Sequence, residues 1–270
     1  MIKPGVNSVL FKNYTFAEAA RAVSMAGYDC IEISAIKGMC EHLDLDSYKT
    51  KKAEIKAITE EFGLEIISSE VASLDPERLE KAFEAAAELG IPVINVGPGG
   101  KAGDEDSIKQ TIEKIAAMAE RAAEYGVTLC CKAHYGSSVN NTETTLRLMN
   151  EIKNPHFGID MDPSHIYRSG EEPDEALAKV ISRVRHIHVR DCKGRQRSPG
   201  EPPMQACGRG DIDLYKYFGV MMENGYTGPV SLEIIGPAQE YTQAAVIAAE
   251  SRGFVNACLK QLEAGLEAGK

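Results

Sequence analysis

The chain lacks any surplus of positive charge. Of its 270 residues, 40 are acidic and 30 basic, a formal charge of −10, with a sequence pI near 5.2. Nucleic-acid binding draws on a basic stripe that meets phosphates, and docking on anionic lipid draws on clustered lysine and arginine. Neither is visible, so no nucleic acid and no membrane is expected as a partner. Unbroken apolar runs extend only a handful of residues, well short of the roughly 20 needed to cross a bilayer. No charged-then-apolar leader follows Met1, so no secretory signal is expected. The seven cysteines are odd in number and scattered, unlike a disulfide framework. Adjacent Cys130 and Cys131 would face opposite sides of a strand and lack metal-ligand spacing. No glycine-rich phosphate loop follows the first apolar run, and Gly97 to Gly103 lacks P-loop spacing and reads as a lid or turn. These absences leave a cytoplasmic, soluble, enzyme-sized protein as the expectation. With 43% hydrophobic residues, a large core is within reach. No linker or shift in composition divides the chain, so one domain is expected over residues 1–270.

What the chain does have is a repeat. A short β-branched or apolar run ends in polar residues, a loop follows, and an alanine-rich amphipathic helix comes next. Strands are expected at Lys3–Val9, Tyr28–Ser34, Leu64–Glu70, Pro92–Gly97, Val127–His134, Phe157–Asp162, Val184–Asp191 and Val230–Ile235. Helices are expected at Thr15–Met25, Asp46–Glu61, Pro76–Leu89, Glu105–Tyr125, Thr142–Glu151, Pro173–Val180, Asp211–Glu223 and from Gln239 onward. Ile108, Ile112, Ile115, Met118 and Ala119 recur at helical steps. Gly27, Gly63, Gly90 and Gly126 stand between helix and strand, where a left-handed C-cap is needed. Thr15, Asp46 and Asp75 stand at N-cap positions, and Pro76 at a first helical position. Eight strand–helix units without a hairpin signal favour an α/β fold with a single (β/α)8 TIM barrel over a doubly wound sheet.

Active-site side chains of such a barrel come from the C-terminal ends of its strands, and residues two apart share a face. The strand ends then offer Glu32 and Ser34, Ser68 and Glu70, Lys132 and His134, Asp160 and Asp162, His186, His188 and Arg190, and Ser231 and Glu233. Structural barrel positions would hold Val, Ile or Leu, so the polar set points to a site. The bland alternative is that individual members cap loops or pair with one another.

Four ordered segments carry a resemblance: Asp162-Pro163-Ser164-His165, His186-Ile187-His188-Val189-Arg190-Asp191, Gly208-Arg209-Gly210-Asp211-Ile212-Asp213, and Gly225-Tyr226-Thr227-Gly228-Pro229-Val230-Ser231-Leu232-Glu233. Together they resemble the xylose isomerase-like TIM-barrel family of sugar isomerases and epimerases (the sugar phosphate isomerase/epimerase and AP endonuclease family 2 superfamily), over nearly the whole chain. The resemblance implies a divalent metal ion (Mn, Mg, Co or Zn) held by Asp162, His188 and Glu233, a ligand set that suits such ions and leaves a position for substrate oxygens. It implies that His165 contacts substrate, and Asp191 is expected to orient a neighbouring ligand.

The departure lies at Lys132, where members of that family carry their first metal-ligating glutamate. An ammonium cannot ligate a metal. Two glutamates, an aspartate and a divalent ion sum to −1, as do Lys132, Asp162 and Glu233 with no metal. The ammonium therefore either replaces the ion or stands beside it with His134 as substitute ligand, and retention of the ion is the expectation here. Lys132 is open to four roles: acid/base group, Schiff-base former, point charge for a substrate carboxylate, or structural partner of Glu70 or Asp162. The loop after the seventh strand carries Lys193, Arg195 and Arg197, with Arg209 beyond. It suggests an anionic substrate, unless it is solvated or an oligomer contact.

The expected activity is that of a metal-dependent isomerase or epimerase on a small sugar, sugar acid or sugar phosphate, by proton transfer beside a metal-bound carbonyl. The alternative is a lyase on the same scaffold that uses Lys132. Catalytic roles are expected for Glu233, Lys132 and His165. Substrate contacts are expected from His134, His165, Arg190, Arg195, Arg209 and Glu70. The partner is a small carbohydrate or sugar acid, and a homo-oligomer is compatible with the family.

Overall fold

The computed structural model describes residues 2–268. Eight parallel strands close on themselves: β1 (Lys3–Asn7), β2 (Cys30–Ile36), β4 (Glu65–Glu70), β5 (Val93–Val96), β6 (Thr128–Lys132), β7 (Phe157–Met161), β8 (Val184–Val189) and β9 (Pro229–Leu232). The first strand pairs with both the second and the last, which completes the (β/α)8 TIM barrel. Two elements depart from the expected pattern: the short helix Pro163–Arg168 after β7, and a hairpin after β2. The chain turns back after β2 to add a two-residue antiparallel strand, β3 (Cys40–Glu41). Gly38, at φ 75°, supplies the turn that a β-carbon would disfavour.

Helices α1 (Phe16–Met25), α2 (Tyr48–Phe62), α3 (Pro76–Leu89), α4 (Glu105–Glu124), α5 (Thr142–Glu151), α6 (Pro163–Arg168), α7 (Pro173–Val180), α8 (Leu214–Glu223) and α9 (Tyr241–Ala268) accompany the strands. Thr15 caps α1 in a reciprocal box with Glu18, worth about 1 kcal/mol against alanine. Asp75 caps α3 ahead of Pro76. Asp46 does not cap α2, which begins at Tyr48; Asp44 folds the entry loop instead, accepting from the Asp46 amide and the Ser47 hydroxyl. In α4, Ile108, Ile112, Ile115 and Ala119 are buried toward the barrel, while Met118 lies on the flank.

Apolar residues fill the layer between strands and helices, Phe83, Phe157, Tyr217 and Phe218 among the largest. The C-terminal half of the barrel interior is different. It holds fully buried glutamate, aspartate, histidine and asparagine side chains, which a protein keeps inside only when they are paired.

Candidate active site

The deepest polar layer is a closed network. The His188 ring lies between two carboxylates, its Nδ1 2.6 Å from Asp160 and its Nε2 2.7 Å from Glu32. His186 bridges Asp160 (3.0 Å) and the Ser68 hydroxyl (2.9 Å), and Asn95 donates to Glu32 at 2.7 Å. Burial opposes charge on Glu32 and His188, and their mutual attraction outweighs it. The His188 imidazole is pushed well above its ordinary range by Asp160 and Glu32, and Glu32 is held at about 2 chiefly by His188.

Above this layer lies the cluster that faces solvent. The Lys132 ammonium, at the end of β6, donates to Glu233 at 2.8 Å and to Glu70 at 3.0 Å. Asn7 holds the other oxygen of Glu70 at 2.8 Å. Arg190 lies 3.2 Å from the second oxygen of Glu233 and 2.7 Å from Asp162. The carboxyls of this cluster diverge. Burial and the adjacent Glu233 charge push Glu70 up to about 8. Glu233, although buried, is held well below the carboxylate range by Lys132, His188 and Arg190. Burial acts against the Lys132 charge, but Glu233 and Glu70 raise its pKa, so it remains an ammonium. A neutral amine able to form a Schiff base is not what these surroundings favour.

A cavity of about 430 Å³ opens over the cluster. Glu70, Lys132, Arg190 and Glu233 contribute to its lining, as do His134 just beyond β6 and His165 on α6, with Ile36, Met39 and Ile235 as apolar wall. Both ring nitrogens of His165 lie 2.8 Å from a guanidinium, Nδ1 from Arg168 and Nε2 from Arg190. Burial and then Arg190 hold this histidine neutral.

Six of the residues singled out from the sequence thus meet at one cavity: Glu70, Lys132, His134, His165, Arg190 and Glu233. Others go elsewhere. Arg195 stacks on Tyr167 and pairs with Glu172, and Arg209 pairs with Glu250 on α9, so neither lines the cavity. Asp191 does not orient a ligand residue. Its carboxylate accepts the amides of Cys192 (2.9 Å), Gly208 (3.1 Å) and Ile212 (3.2 Å), and so ties down the long loop after β8. Asp162 caps α6, accepting from the Ser164 amide at 2.8 Å. Arg168, one helical turn beyond His165, lines the cavity and was not anticipated. Its signal was the Asp162-Pro163 helix start, which puts positions 165 and 168 on one face.

Among the described residues, two groups of side chains have the atom types and spacing to hold a metal ion: Glu32, His186 and His188, and Glu70, His188 and Glu233, each within 4.8 Å. His188 and Glu233 therefore meet as the resemblance implied, but with Glu70 in the place expected for Asp162. The first group is sealed in the deep network. In the second, the ammonium bonded to Glu70 and Glu233 takes the position a cation would occupy. A divalent ion there would have to share Glu70 and Glu233 with an ammonium that already bonds to both and would repel it. As the side chains stand, the arrangement does not fit a divalent ion.

Relatives bear on this geometry. Inosose dehydratases are similar: that of Clostridium perfringens is 27% identical over 142 residues, 48% of each chain, so the match spans about half of that relative. The one of Clostridium botulinum is 24% identical over 263 residues, 83% of each chain. The L-ribulose-5-phosphate 3-epimerase UlaE of Salmonella typhimurium is 24% identical over 274 residues, covering 92% of this chain and 91% of that one. Among solved structures, a D-tagatose 3-epimerase-like protein superposes with a TM-score of 0.79 at 19% identity, over 98% of this chain and 99% of the other. Residues 20–258 match the xylose isomerase-like TIM barrel family, and the chain belongs to it.

Proposed function

We propose that this chain is a lyase that removes water from a small, polyhydroxylated, anionic carbonyl compound of the sugar, sugar-acid or cyclitol kind. The carrying observation is the Lys132 ammonium between Glu70 and Glu233 on the cavity floor; burial and the Glu233 charge push Glu70 up to about 8, while Lys132 holds Glu233 below the carboxylate range. An ammonium has three N–H donors, and two are engaged by these carboxylates. The third is available to a substrate carbonyl and would hold the negative charge that forms there as a carbon-bound proton leaves.

Glu233 takes that proton, and Glu70 gives its own to the hydroxyl on the next carbon. The C–O bond breaks, a C=C bond forms and water departs. The two carboxyls are close enough for the proton on Glu233 to return to Glu70, which restores the starting state. Both act from one floor, an arrangement suited to elimination from a single face, whereas epimerisation needs donor and acceptor on opposite faces. The similarity to inosose dehydratases supports the same direction. The charge of the rim supports an anionic substrate. Arg168 and Arg190 both line the cavity, and paired guanidinium groups suit a substrate carboxylate or phosphate.

Isomerisation or epimerisation shares the first proton transfer, and the full-length likeness to a 3-epimerase favours it as second reading. Proton NMR with mass analysis of products formed in deuterium oxide separates the two. A lyase gives a product lighter by one water, and an isomerase gives one of unchanged composition that carries deuterium. The latter result would overturn the lyase reading.

A further inference from the structure

We propose that Lys132 is a built-in substitute for a divalent ion, and that the chain holds its active-site carboxylates together without a bound metal. The ammonium bridges Glu70 and Glu233 at 3.0 and 2.8 Å. The remaining oxygen of Glu233 and the Oδ2 of Asp162 both face Arg190, at 3.2 and 2.7 Å. The two carboxylates that the family resemblance assigns to an ion are therefore already neutralised by side-chain cations. The third implied ligand, His188, has a carboxylate at each ring nitrogen, so no lone pair points into the cavity.

Lys132 cannot easily withdraw. It is 3% exposed and fixed in β6, opposite Asp160 of β7, and its departure would leave two buried carboxyls facing each other. Replacement changes what the site can do. An ion presents two charges and several open coordination positions, whereas an ammonium presents one charge and a directed N–H. The inference shares with the lyase reading the placement of Lys132 between Glu70 and Glu233, but its readouts, metal content and thermal midpoint, do not depend on which product forms.

The test uses the full chain expressed with manganese, cobalt and zinc supplied, then purified without chelator. Plasma mass spectrometry is expected to find less than about 0.1 equivalent of metal in the wild type, since binding would require a deprotonated, unoccupied ligand set. Its thermal midpoint is expected to be unmoved by Mn²⁺, Co²⁺ or EDTA. Lys132→Glu, which supplies a ligand and removes the charge, is expected to take up about one equivalent of Mn²⁺ or Co²⁺ and show cobalt absorption in the visible. Lys132→Gln, which removes only the charge, is expected to bind Mn²⁺ at least tenfold more tightly than the wild type, though less tightly than Lys132→Glu. A wild type carrying about one equivalent that EDTA strips with a fall in midpoint would overturn the proposal. So would folded variants that bind no more tightly than the wild type. If neither variant folds, the metal content and EDTA response of the wild type decide alone.

Discussion

Lys132 and Glu233, 101 positions apart in sequence, close a 2.8 Å ion pair at the floor of the cavity. Both are buried, so removing one partner strands the other, at a cost of about 3–5 kcal/mol. Lys132→Met should therefore lower the denaturation midpoint and reduce turnover by more than about tenfold. Adding Glu70→Gln to it replaces a carboxyl that already keeps its proton by a neutral amide, and should recover little of the stability and none of the activity. Chemical denaturation alongside steady-state kinetics checks this, and a Lys132→Met enzyme with wild-type kinetics would make the residue purely structural.

Glu70 should leave its mark on the pH profile. Burial and the Glu233 charge raise it to about 8, so it holds a donatable proton at neutrality. kcat/KM should fall as pH rises past about 8, and Glu70→Gln should abolish turnover rather than shift that limb. Stability has the same sign. The native state keeps a proton that an unfolded carboxyl releases near pH 4.3, so this contribution is full below that value and lost as pH rises through 8.

The arginines should divide into two classes. Arg168 and Arg190 line the cavity, and Arg190→Gln or Arg168→Gln should raise KM for an anionic substrate by tenfold or more, roughly a charge-assisted hydrogen bond. Arg195→Ala and Arg209→Ala break surface pairs with Glu172 and Glu250, which contribute at most about 1 kcal/mol, and should leave KM within about twofold.

Gly210 should be intolerant of any side chain. A β-carbon there would lie 2.1 Å from Asp191 Oδ1 and 2.3 Å from the Cys192 carbonyl. Gly210→Ala should cost about 3 kcal/mol and loosen the loop after β8, seen as faster proteolysis between positions 192 and 212.

His165 gives a stability effect opposite in sign to that of Glu70. Burial and Arg190 hold its pKa well below 6.5, so the unfolded chain takes up a proton that the native state refuses. This contribution is present above about 6.5 and lost as pH falls. His165→Gln should flatten the decline of the thermal midpoint between about pH 7 and 5.

The barrel was legible because the cues for its elements are local. Gly63 and Gly90 end helices in left-handed geometry, and Thr15 and Asp75 begin them. The site was legible as a set of strand ends, since alternation fixes which residues face inward. What local patterning does not carry is which partner a buried charge chooses. Asp162 could be placed at a strand end, but not assigned to Arg190 and a helix cap. Arg195 and Arg209 read as a basic rim because their acidic partners, Glu172 and Glu250, are brought in by other helices. The resemblance supplied a ligand set, and the lysine at position 132 is where three-dimensional pairing overrides it.

The first strand lies between the second and the last, with Lys3 in register with Pro229 and Gly5 with Cys30. Its far edge stays open until nearly the whole chain has been made, so the final pairing carries the largest loop-closure entropy in the molecule. Glu233 immediately follows that last strand. During synthesis its carboxylate therefore joins the Lys132 ammonium only as the barrel closes. A nascent chain that stalls short of residue 229 would hold Glu70 and Lys132 without their third member, and assembly of the catalytic charges would coincide with completion of the fold.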